Sequence, residues 1–128
     1  MRISGNYRKL IASVGLAGLL LAVGSGSLAA NTVRIFTLSA DEWARPRSGH
    51  VIPELDPVRA AVSYWGREVD AVVIIRYPGE DTGELWAAEL RDWLISLGVP
   101  SDYIRLMSGV QAADEIKLVV GNRDELEQ

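Results

Sequence analysis

The sequence predicts an α/β fold, a two-layer sandwich in βαβαββ order with a mixed four-stranded sheet and two helices. Four segments are rich in β-branched residues, and two others carry apolar residues at helical spacing. A strand, a helix and a strand follow one another in the middle of the chain. Because such a crossover joins parallel strands, we expect the second and third strands to be parallel.

The first strand and the first helix are separated by a polar stretch. Residues 32–38 are rich in β-branched side chains and predict the strand, whereas residues 39–51 predict a loop. Asp56 and Pro57 then give an N-cap followed by proline at the first helical position. Apolar residues keep helical spacing from there until Gly66, which should end the first helix.

The second strand and second helix carry the clearest signals. Residues 69–77 include an unbroken apolar run, typical of a strand that is buried on both faces. After a Pro-Gly turn, Asp81 begins a helix whose apolar residues recur at spacings of three and four. Gly98 should end it as a left-handed C-cap, and Pro100 prevents its continuation.

The remaining strands are expected at residues 103–107 and 115–120, joined by the loop 108–114. Residues 121–128 are polar and predict a disordered tail. The chain is thus expected to hold one folded domain at residues 30–120.

Residues 1–29 have the organisation of a signal peptide. A basic start without acidic residues precedes a 14-residue apolar run, followed by small residues. The run is shorter than the roughly 20 residues that span a membrane, so we expect cleavage, between Ala29 and Ala30. The domain should then reach the periplasm by the general secretory route. An uncleaved N-terminal anchor is the alternative.

The charge and composition of the remaining 99 residues exclude several classes of function. Ten Lys and Arg face seventeen Asp and Glu, a net charge of −7, which is the reverse of a nucleic-acid binder. With no Cys and one His, cysteine nucleophiles, disulfides and His/Cys zinc sites are excluded or nearly so. Common catalytic motifs are also missing from the sequence. We therefore expect no cofactor, no metal and no membrane span after cleavage.

Candidate binding residues cluster in the polar stretch. Arg45, Arg47 and His50 bring together two guanidinium groups and the imidazole, which could clamp a carboxylate or phosphate or simply be solvated. Trp43 lies beside them without a periodic reason to be buried, which makes it a candidate for a binding surface. The acidic turn at residues 80–84 could bind calcium through carboxylates, but helix capping explains it adequately.

One part of the chain resembles a known family. Residues 72–79, the second helix and the motif Leu-x-x-x-Gly-Val-Pro at residues 94–100 are similar to OmpA-like C-terminal domains. The resemblance implies an α/β fold and non-covalent binding of peptidoglycan stem peptides through an Asp after the second strand and an Arg on the following helix. Asp81 and Arg91 are the nearest equivalents, but the family's ligand motif is not retained, because its Arg position falls at about Trp86.

Two hypotheses follow. The first is an exported, non-enzymatic accessory or interaction module of the cell envelope, within a secretion or conjugation assembly, with an envelope protein or peptidoglycan as partner. The second is a small periplasmic hydrolase or ligand-binding protein that uses the Arg45–His50 loop with an acid from residues 80–84.

The predicted cleavage site can be tested directly. The protein isolated from the periplasm should begin at Ala30, because Ser27 and Ala29 then occupy the two small-residue positions of the cleavage motif. Intact mass and N-terminal sequencing measure this. A product that retains residues 1–29 would instead support the uncleaved anchor.

Overall fold

The computed structural model describes residues 32–79 and 81–128. Its elements are four strands, four α-helices and two 3-10 turns. The strands are β1 (Arg34–Ser39), β2 (Ala71–Pro78), β3 (Ile104–Val110) and β4 (Glu115–Asn122). The α-helices are α1 (Ala40–Trp43), α2 (Asp56–Trp65), α3 (Asp81–Ser96) and α4 (Arg123–Leu126), and the 3-10 turns are Ile52–Glu54 and Ser101–Tyr103.

The expected export signal, with Ala29 and Ala30, lies outside the described residues. Within the part that is described, no helix has the length and hydrophobicity needed to cross a membrane.

The strands form one mixed sheet in the order β1-β4-β2-β3. The last strand, β4, lies in the middle and runs antiparallel to both β1 and β2. Strands β2 and β3 are parallel, as expected for strands joined through a helix. The mixed four-stranded sheet is thus confirmed.

The core lies between one face of the sheet and the two longer helices. Alternate residues of β2 and β4 point into it, because successive side chains of a strand face opposite sides. Helices α2 and α3 close the core with apolar residues at helical spacing, which accounts for their stability in a chain without disulfides. The fully buried strand and helix residues of this core include Leu38, Val58, Ala61, Val73, Ile75, Leu90, Leu94, Leu118 and Val120.

The end of α3 has the predicted geometry. Gly98 has a φ of +106°, and the Val99 amide donates a hydrogen bond to the Leu94 carbonyl oxygen. Glycine adopts this left-handed conformation without a steric penalty, so the helix stops here and the chain turns into β3.

The structure contains two short helices in addition to the two expected. Helix α1 occupies the start of the stretch predicted to be a loop, and it is closed by a capping box: the Glu42 amide donates to Ser39 Oγ, and the Ser39 amide donates to Glu42 Oε2. Helix α4 lies in the predicted tail and is capped by Asn122, whose Oδ1 accepts from the Asp124 amide. Both are single turns that are stabilised by local side-chain caps. They are too short to show the apolar spacing by which longer helices are identified in a sequence.

The segment expected to be a tail is therefore structured where it joins the domain. Gly121 and Asn122 complete β4, and Leu126 of α4 approaches Gly121 on the face of the sheet opposite α2 and α3. The Arg123 guanidinium faces Asp70, with an N–O distance of 3.6 Å, and stacks on Tyr103. These contacts hold α4 against one end of the sheet.

Gly83, in the first turn of α3, lies close to the backbone of Pro78 at the end of β2. A Cβ atom at this position would lie 2.2 Å from the backbone oxygen of Pro78. Backbone cannot rotate away as a flexible side chain can, so only glycine fits.

We expect Gly83→Ala to lower the free energy of unfolding by about 1–3 kcal/mol, as overpacking does, despite the better helix propensity of alanine. Gly49→Ala is the matched control, because nothing lies within 4 Å of a Cβ there. Urea denaturation monitored by circular dichroism measures both. Equal stability of the two variants would contradict the close approach.

Candidate functional site

The side of the sheet that faces away from α2 and α3 carries two parallel rows of side chains. Register places Ile35, Val119 and Ile74 side by side across β1, β4 and β2, and the row ends at Arg105 of β3. The second row, one pleat further along, consists of Thr37, Lys117, Arg76 and Met107. We call these two rows together the open face.

The open face is apolar in its first row and cationic in the middle of its second. Ile35 is 60% exposed and Met107 is 47% exposed, whereas Ile74 and Val119 are buried between their neighbours. None of these four side chains belongs to the core under the helices. Exposed apolar side chains that adjoin further apolar residues on one face of a sheet are a feature of surfaces that bind another molecule.

Arg76 and Lys117 lie directly opposite each other on β2 and β4. Like charges at opposed positions of an antiparallel pair destabilise the sheet by a few tenths of a kcal/mol up to about 1 kcal/mol. In residues 32–79 and 81–128, neither cation has an ion pair or a side-chain hydrogen bond. Arg105 differs, because its Nη2 lies 3.1 Å from Glu127 Oε1.

A groove of about 410 Å³ opens beside these two cations, and its other wall is the turn between β3 and β4. Gly109 forms a bulge there: Tyr77 pairs with Ser108 and Pro78 with Val110, so Gly109 is skipped. Its φ of +113° is a conformation that glycine tolerates and other residues rarely adopt. The bulge bends the strand end alongside Arg76 and Lys117.

Local sequence patterns indicate this surface only weakly. The unbroken apolar run in β2 indicated burial on both faces, and only the parity of Val72, Ile74 and Arg76 shows that they share one side. The neighbours of that side come from β1 and β4, and their register is set by tertiary pairing. The alternation of side chains along each strand could have placed Arg76 and Lys117 separately on the exposed sides of β2 and β4. It could not have shown that the two residues lie opposite each other.

Trp43, predicted to lie in a loop and to be available for binding, is 7% exposed and belongs to the core. Helix α1 turns its side chain inward, and its ring stacks on Trp86 with centroids 6.3 Å apart. The physical reason is the capping box of α1, which converts a polar stretch into a turn with one buried apolar residue.

Arg47, a second predicted site residue, is held by its neighbours within the protein. Its guanidinium lies 5.1 Å from the centre of the Trp43 ring, its Nη1 donates to the Trp43 carbonyl oxygen, and its Nε lies 2.7 Å from Glu89 Oε1. The charge is therefore already neutralised inside the protein. Both side chains of the ion pair are about one third or more exposed, so its contribution to stability is at most about 1 kcal/mol.

The other residues of that loop point to solvent. Arg45 and His50 are exposed, and among the described residues the His50 side chain makes no hydrogen bond or ion pair. Neither Asp81 nor Glu84, the described acids of the turn at residues 80–84, forms an ion pair or a hydrogen bond with it. Among the described residues there is thus no acid–histidine pair for the hydrolase hypothesis.

Asp81 and Arg91 lie ten residues apart on α3. A helix rises 1.5 Å per residue, which separates them by about 15 Å along the axis. Arg91 instead lies 3.9 Å from the carboxylate of its neighbour Asp92. The two groups nearest to the ligand pair of OmpA-like domains therefore do not form one compact site.

No group of three or more potential metal ligands occurs in the described parts of the chain. Comparison of the sequence with protein-family models and with curated proteins finds no match.

We expect Trp43→Ala to destabilise the protein by about 3–5 kcal/mol, because it removes a large buried ring and leaves Trp86 without its stacking partner. Arg45→Ala, at an exposed position two residues later, should change stability by less than about 0.5 kcal/mol. Thermal and urea unfolding measure the difference. A Trp43→Ala variant as stable as the Arg45→Ala control would argue against burial of this ring.

Proposed function

We propose that the protein is an exported, non-enzymatic interaction module of the cell envelope, and that it binds a partner protein through the open face. The proposal retains the predicted signal peptide, the periplasmic location and a place within a secretion or conjugation assembly. It also retains an OmpA-like, two-layer architecture in βαβαββ order, with the peptidoglycan ligand pair lost.

The observation that carries the proposal is the pair of exposed apolar side chains on the open face. Ile35 of the first row offers 60% of its surface and Met107 of the second row offers 47%, and the buried Val119 and Ile74 lie between them. Burying these side chains against a partner would contribute about 25 cal/mol for each Å² of apolar surface removed from water. A regular sheet also presents them on a rigid backbone, which lowers the entropic cost of binding.

The remaining parts of the proposal have separate support. Export is supported by the basic, apolar and small-residue regions of residues 1–29. The OmpA-like architecture is supported by the parallel pairing of β2 and β3 around α3, and by the ending of that helix at Gly98. The loss of peptidoglycan binding is supported by the separation of Asp81 from Arg91 along α3.

Site-specific photocrosslinking in living cells tests the proposal. A photoreactive benzophenone side chain at position 35 or 107 should give one discrete crosslinked product, because both positions lie on the open face. The same side chain at Ser63, an exposed position on α2, should not. Electrophoresis of the periplasmic and membrane fractions, followed by mass spectrometry, measures the products.

A second substitution shows whether the product depends on the surface. Met107→Glu, combined with the crosslinker at position 35, should lower the yield about tenfold, because a carboxylate in an apolar contact must be desolvated. Circular dichroism confirms that this variant folds. The proposal fails if position 63 crosslinks as well as position 35, or if Met107→Glu leaves the yield unchanged.

A further inference from the structure

The charge on the open face differs from that of the domain that carries it. The 99 residues after the predicted cleavage site have a net charge of −7. Arg76 and Lys117 nevertheless lie side by side on this face, and within the described residues neither has an ion-pair partner.

Glu127, which follows α4, is already paired with Arg105 of the open face. Among the strand residues, one acid lies on the same side of the sheet. Glu115 is two residues before Lys117 on β4, and that spacing corresponds to about 7 Å along a strand. It makes no ion pair with Lys117 or Arg76 within 4 Å. The pair of cations therefore adds repulsion to the folded sheet that an anionic partner would relieve.

The arrangement of the two rows indicates the shape of that partner. The cations occupy the middle of the second row, with Met107 beside Arg76, and the other apolar residues occupy the first row one pleat away, about 7 Å along the strands. A small anion would neutralise Arg76 and Lys117 but would leave Ile35 and Met107 in water. A polypeptide segment with both carboxylate and aliphatic side chains matches both rows.

Charge also decides against a nucleic acid as the occupant. A nucleic acid would be repelled by the remainder of the acidic domain, and two cations are few against a phosphate backbone.

We propose that the open face recognises an acidic, partly aliphatic segment of a partner protein. Carboxylates of the segment pair with Arg76 and Lys117, and its aliphatic side chains cover Ile35 and Met107. The groove beside the Gly109 bulge accommodates the segment where it leaves the sheet. This inference rests on the proposed function and specifies the chemistry of the partner.

Peptide titration of the purified protein, in the form in which the cell exports it, tests the inference. The probe is a capped ten-residue peptide with four glutamates and three leucines, compared with versions in which glutamine or lysine replaces the glutamates. We expect saturable amide shift changes in ¹H–¹⁵N NMR spectra, centred on residues 35–37, 107–112 and 117–119. Binding should weaken as salt rises, and the glutamine and lysine peptides should bind at least about tenfold more weakly.

A charge reversal with a matched control identifies the residues responsible. Arg76→Glu with Lys117→Glu should lower affinity for the acidic peptide about tenfold or more and raise it for the lysine peptide. Arg45→Glu with Arg67→Glu changes the net charge equally at exposed positions off the sheet and should leave both affinities unchanged. Equal losses in the two double variants would overturn the inference.

Three further results would also overturn it. The first is binding of inorganic phosphate or of phosphatidylglycerol vesicles as tightly as the acidic peptide, which would indicate a small anion or a membrane surface. The second is sedimentation that reveals a dimer abolished by Ile35→Glu, which would make the occupant a second copy of the chain. The third is a set of shift changes confined to α2 or α3.

Failure of the inference can be distinguished from failure of the proposed function. If Met107→Glu abolishes crosslinking from position 35 in cells while Arg76→Glu with Lys117→Glu leaves it intact, the open face binds a partner that is not acidic. If no crosslinked product forms from position 35 or position 107, the proposed function itself fails.

Discussion

The register between β2 and β4 is the constraint on which the rest of the structure depends. It sets Val73 opposite Val120 and Ile75 opposite Leu118, so that the core residues of both central strands face α2 and α3 together. The same register sets Arg76 opposite Lys117 on the other side. Because side chains alternate along a strand, a slip of one residue would turn the core residues to solvent and the cations into the core. The core and the open face are thus two consequences of one pairing.

Much of the fold could be predicted from local patterns. Helices α2 and α3 are indicated by the spacing of their apolar residues, and β2 by its apolar run. The predicted N-cap Asp56 is instead the first residue of α2, which begins without a side-chain cap. Helices α1 and α4 were not predicted, because a helix of four residues is too short for its apolar residues to recur at helical spacing. Their stability comes from single side-chain caps at Ser39 and Asn122, which resemble turn signals in a sequence.

The candidate site could be predicted less well, because it depends on distance in space. Trp43 and Arg47 were predicted to bind a ligand because of their residue types. In the structure they hold α1 and the residues after it against α3: Trp43 stacks on Trp86, and Arg47 pairs with Glu89. Arg76 and Lys117 lie 41 positions apart in the sequence, and each belongs to a segment whose pattern predicts a strand and no binding site. Only the antiparallel register of β2 and β4 brings the two cations together, and local sequence patterns do not determine register.

The position of β4 in the sheet constrains the order in which the chain can fold during synthesis. Strands β1 and β2 are joined only through β4, which follows the other three strands along the chain. Until residues 115–122 have left the ribosome, β1 has no partner strand, and only the parallel pair of β2 and β3 can form. The core under α2 and α3 can therefore close only after all four strands have been synthesised.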